Sequence, residues 1–415
     1  MSSAGENQAE SYILRLPPYN RFVRRGCTMN ARQMTRIWLA ISVFSFPLSA
    51  FSQGSLTPPG APAPTMKTLD QVEARIPVDA THAPGNATTL FILSQPGSYY
   101  LTSNLAGVSG QHGITINADN ITLDLNGFVL VGPGNSNGID CAGHKDVVIR
   151  NGTIRGWATG VSSQATAKEL RMEKIRFISN SSGGITIAGN SVIAGCMFES
   201  TGIGITTGPN CVISGCYFTL NGLGIMAGTG NVITGCELFS QTGTGIIANS
   251  RCLIKDCRIS GNSAKGIDTI TSGGTNAGTI IENSTFELNI GFAIDLSGSC
   301  IVRDCRIAPN SVTDGINLAA GVSNASIVNN QIRNAAAGHA GINCAGSANR
   351  IDSNTFSGNN VALLTGAGSS NNVITRNIFL GNTTNFTNSG GGQKDAQILN
   401  FGSAQVSTDP WANIR

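Results

Sequence analysis

Hydrophobic positions recur along this chain in one short phrase. It opens with Gly-Ile, passes through a Val-Ile pair, and closes with Cys or Asn, one spacer, and an aromatic or aliphatic residue. The cleanest copies are Gly184-Ile185 … Ser191-Val-Ile-Ala-Gly-Cys196-Met-Phe198, Gly204-Ile205 … Cys211-Val-Ile-Ser-Gly-Cys216-Tyr-Phe218 and Gly224-Ile225 … Asn231-Val-Ile-Thr-Gly-Cys236-Glu-Leu238. Successive copies lie 20 or 21 residues apart. A fixed period of this size marks a solenoid, in which one turn cannot bury its apolar side without the next. Within each copy Gly-Ile-X, Val-Ile-X and X-Phe-X alternate in polarity and are separated by Gly and Asn, so each predicts a short strand. Three strands per turn and no helical period predict three parallel sheets, with equivalent residues of adjacent turns about 4.8 Å apart.

Coil starts fall at Gly113, Gly138, Gly160, Gly184, Gly204, Gly224, Gly245, Gly266, Ala293, Gly315, Gly341 and Ala362. Twelve coils would give a stack roughly 55–60 Å long. The longest interval, from Gly266 to Ala293, implies a loop insertion around Ser272–Gly278. Two inward columns follow from the alternation. One is Ile185, Ile205, Ile225, Ile246, Ile267, Ile294, Ile316 and Ile342. The other is Phe177, Phe198, Phe218, Phe286, Phe356 and Phe379, with Leu238, Ile259, Ile307 and Ile332 substituting. A third column reads Asn126, Asn151, Cys196, Cys216, Cys236, Cys257, Asn283, Cys305, Asn330, Asn354 and Asn377, broken once at Ile175. Asn suits a turn because it tolerates unusual backbone angles and can bond its neighbours above and below. Cys fills the same space as a small buried hydrophobe.

On these columns the sequence resembles the right-handed parallel β-helix proteins, the pectate-lyase-like superfamily with internal asparagine ladders. The resemblance spans residues 113–384. Gly97-Ser-Tyr-Tyr-Leu101 and Ile121-Thr-Leu-Asp-Leu-Asn-Gly-Phe128 also resemble the opening of its secreted bacterial members. It implies an all-β, three-sheet parallel β-helix with caps, and activities on polysaccharide: lyase, hydrolase or epimerase. The motif sets of polygalacturonase-like members (Asn-Thr-Asp, Asp-Asp, Gly-His-Gly, Arg-Ile-Lys) are not complete here. Copper-insertion relatives suggest a metal-handling role, against which the scattered histidines count.

Composition changes this picture little. The 415 residues are 12% charged and 6% aromatic, with 52 glycines, but 40% hydrophobic content in regular spacing argues for order. A net charge of +3 and the lack of a basic stripe give no case for nucleic acid. Met34-Thr-Arg-Ile-Trp-Leu-Ala-Ile-Ser-Val-Phe-Ser-Phe46 followed by Ala50-Phe51-Ser52 reads as a signal peptide cleaved before Gln53, preceded by a polar extension. The expected organisation is extension and signal peptide over residues 1–52 and a Pro-rich linker over 53–65. An N-terminal cap over 66–112, with a short helix near 66–74, leads to the β-helix over 113–392 and a C-terminal cap over 393–415. The mature protein is expected outside the cytoplasm, secreted or periplasmic, as a monomer without a membrane span.

Eleven cysteines in an exported chain invite a disulfide reading. Stacked Cys residues have parallel Cβ vectors, which fit disulfide geometry poorly, so buried free thiols are expected. Cys211, Cys252 and Cys300 form a second column at alternate coils, about 10 Å apart and too far to bridge.

The residue after Gly-Ile points outward. That column reads Asp140, Ser162, Thr186, Thr206, Met226, Ile247, Asp268, Asp295, Asn317 and Asn343. Stacked Asp268 and Asp295 are the candidate catalytic pair. Two carboxylates about 5 Å apart suit a retaining glycosidase or a Ca²⁺ site, and their repulsion suggests a positive partner between them. Asn317, Asn343 and His339 are candidate ligand-binding residues. On this reading polysaccharide is the partner and Ca²⁺ the one cofactor to consider. Outward polar residues are also what any solvated strand carries. Arg258 and Arg306 resemble lyase bases but belong to a different sheet. The two functional expectations are therefore binding or processing of extracellular polysaccharide, or a non-catalytic surface scaffold.

Overall fold

The computed structural model describes residues 74–270, 276–308, 312–395, 398–399 and 410–414. The signal-peptide segment, the Pro-rich linker and nearly all of the expected helix near 66–74 lie outside the described residues, as does most of the insertion around residue 272. The described residues all belong to the unit that begins at Met66. Among them there is no helix. The chain is a parallel β-solenoid.

The first sheet has fourteen parallel strands, from Thr89–Leu93 to Thr384–Asn388. The other strands form one 28-stranded ribbon, because Lys145–Arg155 and Lys168–Ile178 run unbroken through a corner. Elsewhere that ribbon is two faces. Val192–Ala194 stacks on Val212–Ser214, and Met197–Glu199 stacks separately on Tyr217–Thr219. All twelve predicted coil starts lie on the first sheet, which adds a rung at each end. Phe91 pairs with Ile114 and Phe386 with Leu363, so aromatic residues continue the Ile column where the Gly-Ile phrase is missing. The 27-residue interval holds strand Asn276–Glu282, whose register shifts between Ala277 and Ile280.

The inward columns pack as a dry core. Ile185, Ile205 and Ile225 are in register and fully buried. Phe177, Phe198 and Phe218 stack face to face, with ring centroids 4.9 and 4.8 Å apart. That spacing follows from the strands themselves, and it is within the range where aromatic pairs add to simple burial. The Gly-Ile glycine makes room for the ring. A Cβ on Gly204 would lie 2.5 Å from the Gly224 carbonyl oxygen and 2.7 Å from the Phe218 ring.

The Cys/Asn column needs a correction of register. Its members from Cys196 to Cys257, Cys305, Asn330, Asn354 and Asn377 are buried. Asn151 and Asn283 are not among them, because each stands one residue earlier. Both have positive φ, as do Lys174, Gly195, Gly215, Gly235, Asp256, Asp304, Asn329, Ser353 and Arg376 at the same point of their coils, all between 45° and 61°. Asn126 (φ 51°) sits with Gly127 in a longer turn. The ladder position itself is filled by Gly152 after Asn151, by Ile175 on the next coil and by Ser284 after Asn283, the last two buried. Asn is favoured in the left-handed region and in an amide ladder alike, so its identity could not separate the two neighbouring positions.

The other two corners repeat this design. A left-handed residue precedes a buried polar one at Ser179-Asn180, Leu220-Asn221, Ser240-Gln241 and Gly261-Asn262, and a buried polar residue or cysteine at Asn190-Ser191, Asn210-Cys211 and Gly230-Asn231. Asn221 accepts from the Thr201 N–H at 2.9 Å and donates to the Phe198 carbonyl at 3.1 Å and to Gln241 Oε1 at 2.9 Å, tying three coils. No buried side-chain nitrogen or oxygen among the described residues lacks a partner. The ten described cysteines are buried and unbridged. Burial pushes the Cys305 thiol up to about 12 and the Cys300 and Cys344 thiols to about 11, so they are inert rather than reactive.

Candidate functional site

The outward column of the first sheet is in register along its whole predicted length, from Asp140 through Ile247 to Asn343. Asp268 and Asp295 stand opposite each other on strands Ile267–Thr269 and Ile294–Leu296. Between them lies a positive group from the chain itself. Lys265 Nζ is 2.8 Å from Asp268 Oδ2 and 2.6 Å from Asp295 Oδ2. Burial pulls the Lys265 ammonium down, but the two carboxylates outweigh it and leave the group raised. Asn317 Nδ2 donates to Asp295 Oδ1 at 2.8 Å, and Asn343 Nδ2 donates to Asn317 Oδ1 at 3.3 Å. The result is a half-buried polar line, Lys265–Asp268–Asp295–Asn317–Asn343, running across four coils.

His339 reaches the edge of the same strands. Its Nδ1 lies 3.6 Å from Asp314 Oδ1, which also accepts from the Ala340 N–H at 2.6 Å. Asp314 precedes strand Ile316–Leu318, which carries Asn317. Every histidine of the chain lies beside an aspartate: His82 with Asp79, His112 with Asp140, His144 with Asp119, and His339 with Asp314.

Calcium fits this set poorly. It takes six to eight oxygen ligands, whereas the facing oxygens of Asp268 and Asp295 already hold an ammonium. Among the described residues no group of three or more His, Cys, Asp or Glu side chains is placed to hold a metal. The same contact bears on catalysis. A retaining hydrolase needs one carboxyl as a proton donor, and here both carboxylates form ion pairs with one lysine. Lys265 was not legible beforehand. It precedes the strand at a corner, where alternation no longer says which way a side chain turns.

Arg258 and Arg306 lie on the third face, in one column through Thr285. They do not meet the Asp268 line. Arg303 pairs with Glu282 on the neighbouring coil, an exposed cross-strand ion pair of small energetic weight. The third face has a second feature that the alternation did signal. Tyr217, Glu237 and Phe239 flank the inward Phe218 and Leu238, so they point outward. With Leu238, Arg258 and Ser260 they line a depression of about 240 Å³. Tyr217 and Phe239 are 37% and 48% exposed, values that among described aromatic residues only Trp411 shares.

No helix among the described residues is long and apolar enough to cross a membrane.

The chain matches a family model described as "Right handed beta helix region" over residues 137–289 and 226–379, together more than half of its length. No curated protein matches it. Solved structures that resemble it include the Dettilon tailspike protein, at 18% identity over 71% of this chain and 60% of that one, with a TM-score of 0.37. This chain therefore spans less than two thirds of that tailspike. A mutant tailspike of E. coli bacteriophage HK620 in complex with a hexasaccharide shares 10% identity over 77% of this chain and 73% of its own, with a TM-score of 0.48. The periplasmic alginate epimerase AlgG shares 13% identity over 82% of both chains, with a TM-score of 0.41. These likenesses are distant and concern the fold. With its stacked coils, its inward ladders and the span of the family match, this chain belongs to the right-handed β-helix family.

Proposed function

We propose that this chain is an exported, extracellular or periplasmic, polysaccharide-binding protein that does not cleave its ligand. The observation that carries this reading is the in-register polar line on the first sheet. Asp295, Asn317 and Asn343 present half-buried amide and carboxylate groups at successive rungs, Asp295 held by Asn317 and Asn317 by Asn343. Such a line offers regularly spaced donors and acceptors to an extended chain of hydroxyls, with side chains already fixed before binding. Lys265 weighs against cleavage and against a calcium-bridged acidic sugar, because it takes the place either would need.

The test is an oligosaccharide array probed with the native protein, with Asn317→Ala/Asn343→Ala and with Asp268→Asn/Asp295→Asn, each with and without a chelator. Ultraviolet detection of unsaturated products runs in parallel. Chelator-independent retention of oligosaccharide, lost in the asparagine double variant and without product formation, is the expected result. Retention that both double variants keep would end this reading and favour the second one, a structural scaffold. One observation supports that alternative: the polar line satisfies itself without a ligand. Unsaturated products that vanish in Asp268→Asn/Asp295→Asn would restore a catalytic role for the pair.

A further inference from the structure

We infer that the depression on the third face is a separate sugar-ring platform, built by Tyr217 and Phe239 and read by Glu237 and Arg258. It stands on observations independent of the first sheet. Tyr217 pairs in register with Glu237, and Phe239 follows Glu237 by two residues, so all three project from the same face of adjacent rungs. Glu237 pairs in turn with Arg258, and Phe239 with Ser260. The rungs therefore set two exposed rings beside a carboxylate and a guanidinium around one shallow hollow.

These groups are not engaged elsewhere in the way their equivalents are. Trp411, the other aromatic of similar exposure, lies under Arg376 at 5.1 Å. Tyr217 and Phe239 have no ring partner among the described residues, and neither the Tyr217 hydroxyl nor the Glu237 carboxylate has a protein hydrogen bond there. Arg258 has only a loose contact with Glu287, at 3.6 Å. Exposed apolar faces next to unmet polar groups are what a pyranose ring requires. Its C–H face packs on an aromatic ring, while its equatorial hydroxyls reach a carboxylate and a guanidinium. The charges select the sugar. Glu237, Arg258 and Glu287 together carry one net negative charge, which disfavours a polyuronate and favours a neutral glycan. The volume, about 240 Å³, falls below the roughly 300–1,000 Å³ of clefts that enclose whole small ligands. It suits one ring of a chain lying across the coils.

The experiment uses the same array, with neutral oligosaccharides and polyuronates side by side, followed by saturation-transfer NMR on the strongest neutral hit. The variants are Tyr217→Ala/Phe239→Ala and Glu237→Gln, with Asn317→Ala/Asn343→Ala as the first-sheet control. Both rings are exposed, so thermal unfolding of the aromatic variant should match the native protein. Affinity is expected to fall roughly tenfold or more in Tyr217→Ala/Phe239→Ala, with loss of the upfield shifts that aromatic rings impose on sugar ring protons. Equal affinity in native protein and aromatic variant would overturn the platform while leaving the first-sheet reading intact. So would a native preference for polyuronates, or self-association of the native protein that the aromatic variant abolishes. A first-sheet variant that binds normally while the aromatic variant does not would uphold the platform and remove the first-sheet reading.

Discussion

The second corner of the solenoid is built in sulfur in one half and in amides in the other. From Cys196 to Cys257 the ladder is cysteine; from Asn330 to Asn413 it is asparagine. The connectivity is similar. In the cysteine half the Cys216 sulfur lies against the backbone and thiol of Cys196, and the Cys236 sulfur against those of Cys216. The Cys216 and Cys236 thiols also contact carbonyls, at 3.4 Å to Ser214 and 3.5 Å to Thr234. In the asparagine half Asn354 Oδ1 accepts from both the N–H and Nδ2 of Asn330 at 3.0 Å, and its own Nδ2 donates to Ile327 at 2.8 Å and Asn377 at 3.1 Å. One place in the coil, beside the preceding coil's N–H, is filled by a soft sulfur in one half and by a hydrogen-bonding amide oxygen in the other. The sulfur contacts are weak and the site is held by close packing. The amide contacts are strong and leave costly orphans when broken.

That contrast orders the expected effects. Asn354→Ala should be the most damaging, at about 3 kcal/mol, because it removes bonds to Asn330, Ile327 and Asn377 and strands buried groups on the preceding coil. Denaturant unfolding with hydrogen exchange should localise the loss to the coils around residues 327–377. A loss under about 1 kcal/mol would show that the amides contribute no more than the thiols.

Acid should act next, and on the asparagine half. Asp352 is fully buried there, bridged to Arg350 and Arg376 and bonded by Thr375 Oγ1 at 3.0 Å. Burial alone would raise its carboxyl, but Arg376, Arg350 and Thr375 outweigh burial and hold it at about 2, below the ordinary 3.8. The folded value is depressed, so its stabilisation is complete above about pH 4 and is lost as pH falls toward 2. The loss should reach about 2 kcal/mol, measured by thermal unfolding between pH 5 and 2. In Asp352→Asn this part of the pH dependence should disappear; its persistence would assign the acid sensitivity to other groups.

Cys236→Ala should have the smallest effect, about 1 kcal/mol, the cost of a small void and a weak contact. A thiol reagent should leave the described cysteines unmodified until the coils unfold. Rapid labelling of the native protein would contradict the burial on which the sulfur half depends.

Much of this fold was open to reading, and the exceptions are instructive. Ile205 and Phe218 announced themselves because a strand turns alternate residues to one side and a parallel stack repeats the choice every coil. Tyr217 and Phe239 carried the same signal as outward residues, but alternation gives a side chain's direction and not which outward groups gather around one hollow. Asn283 was assigned one position late, because an asparagine serves a left-handed corner as readily as a buried ladder. Phe91 and Phe386, which extend the first sheet, were missed because they lack the Gly-Ile phrase although they keep its inward place.

The period, the alternation and the small residues at corners were enough to determine a parallel three-faced solenoid with ladders inside, because those features depend only on local backbone geometry repeated at a constant interval. Which charges meet was decided by the folded chain. Lys265 bridges Asp268 and Asp295, and Arg376 reaches Asp352 across 24 residues. Long side chains at corners reach in directions that alternation does not govern. Their partners come from adjacent coils, so contact depends on loop lengths and corner angles that exist only once the stack has formed.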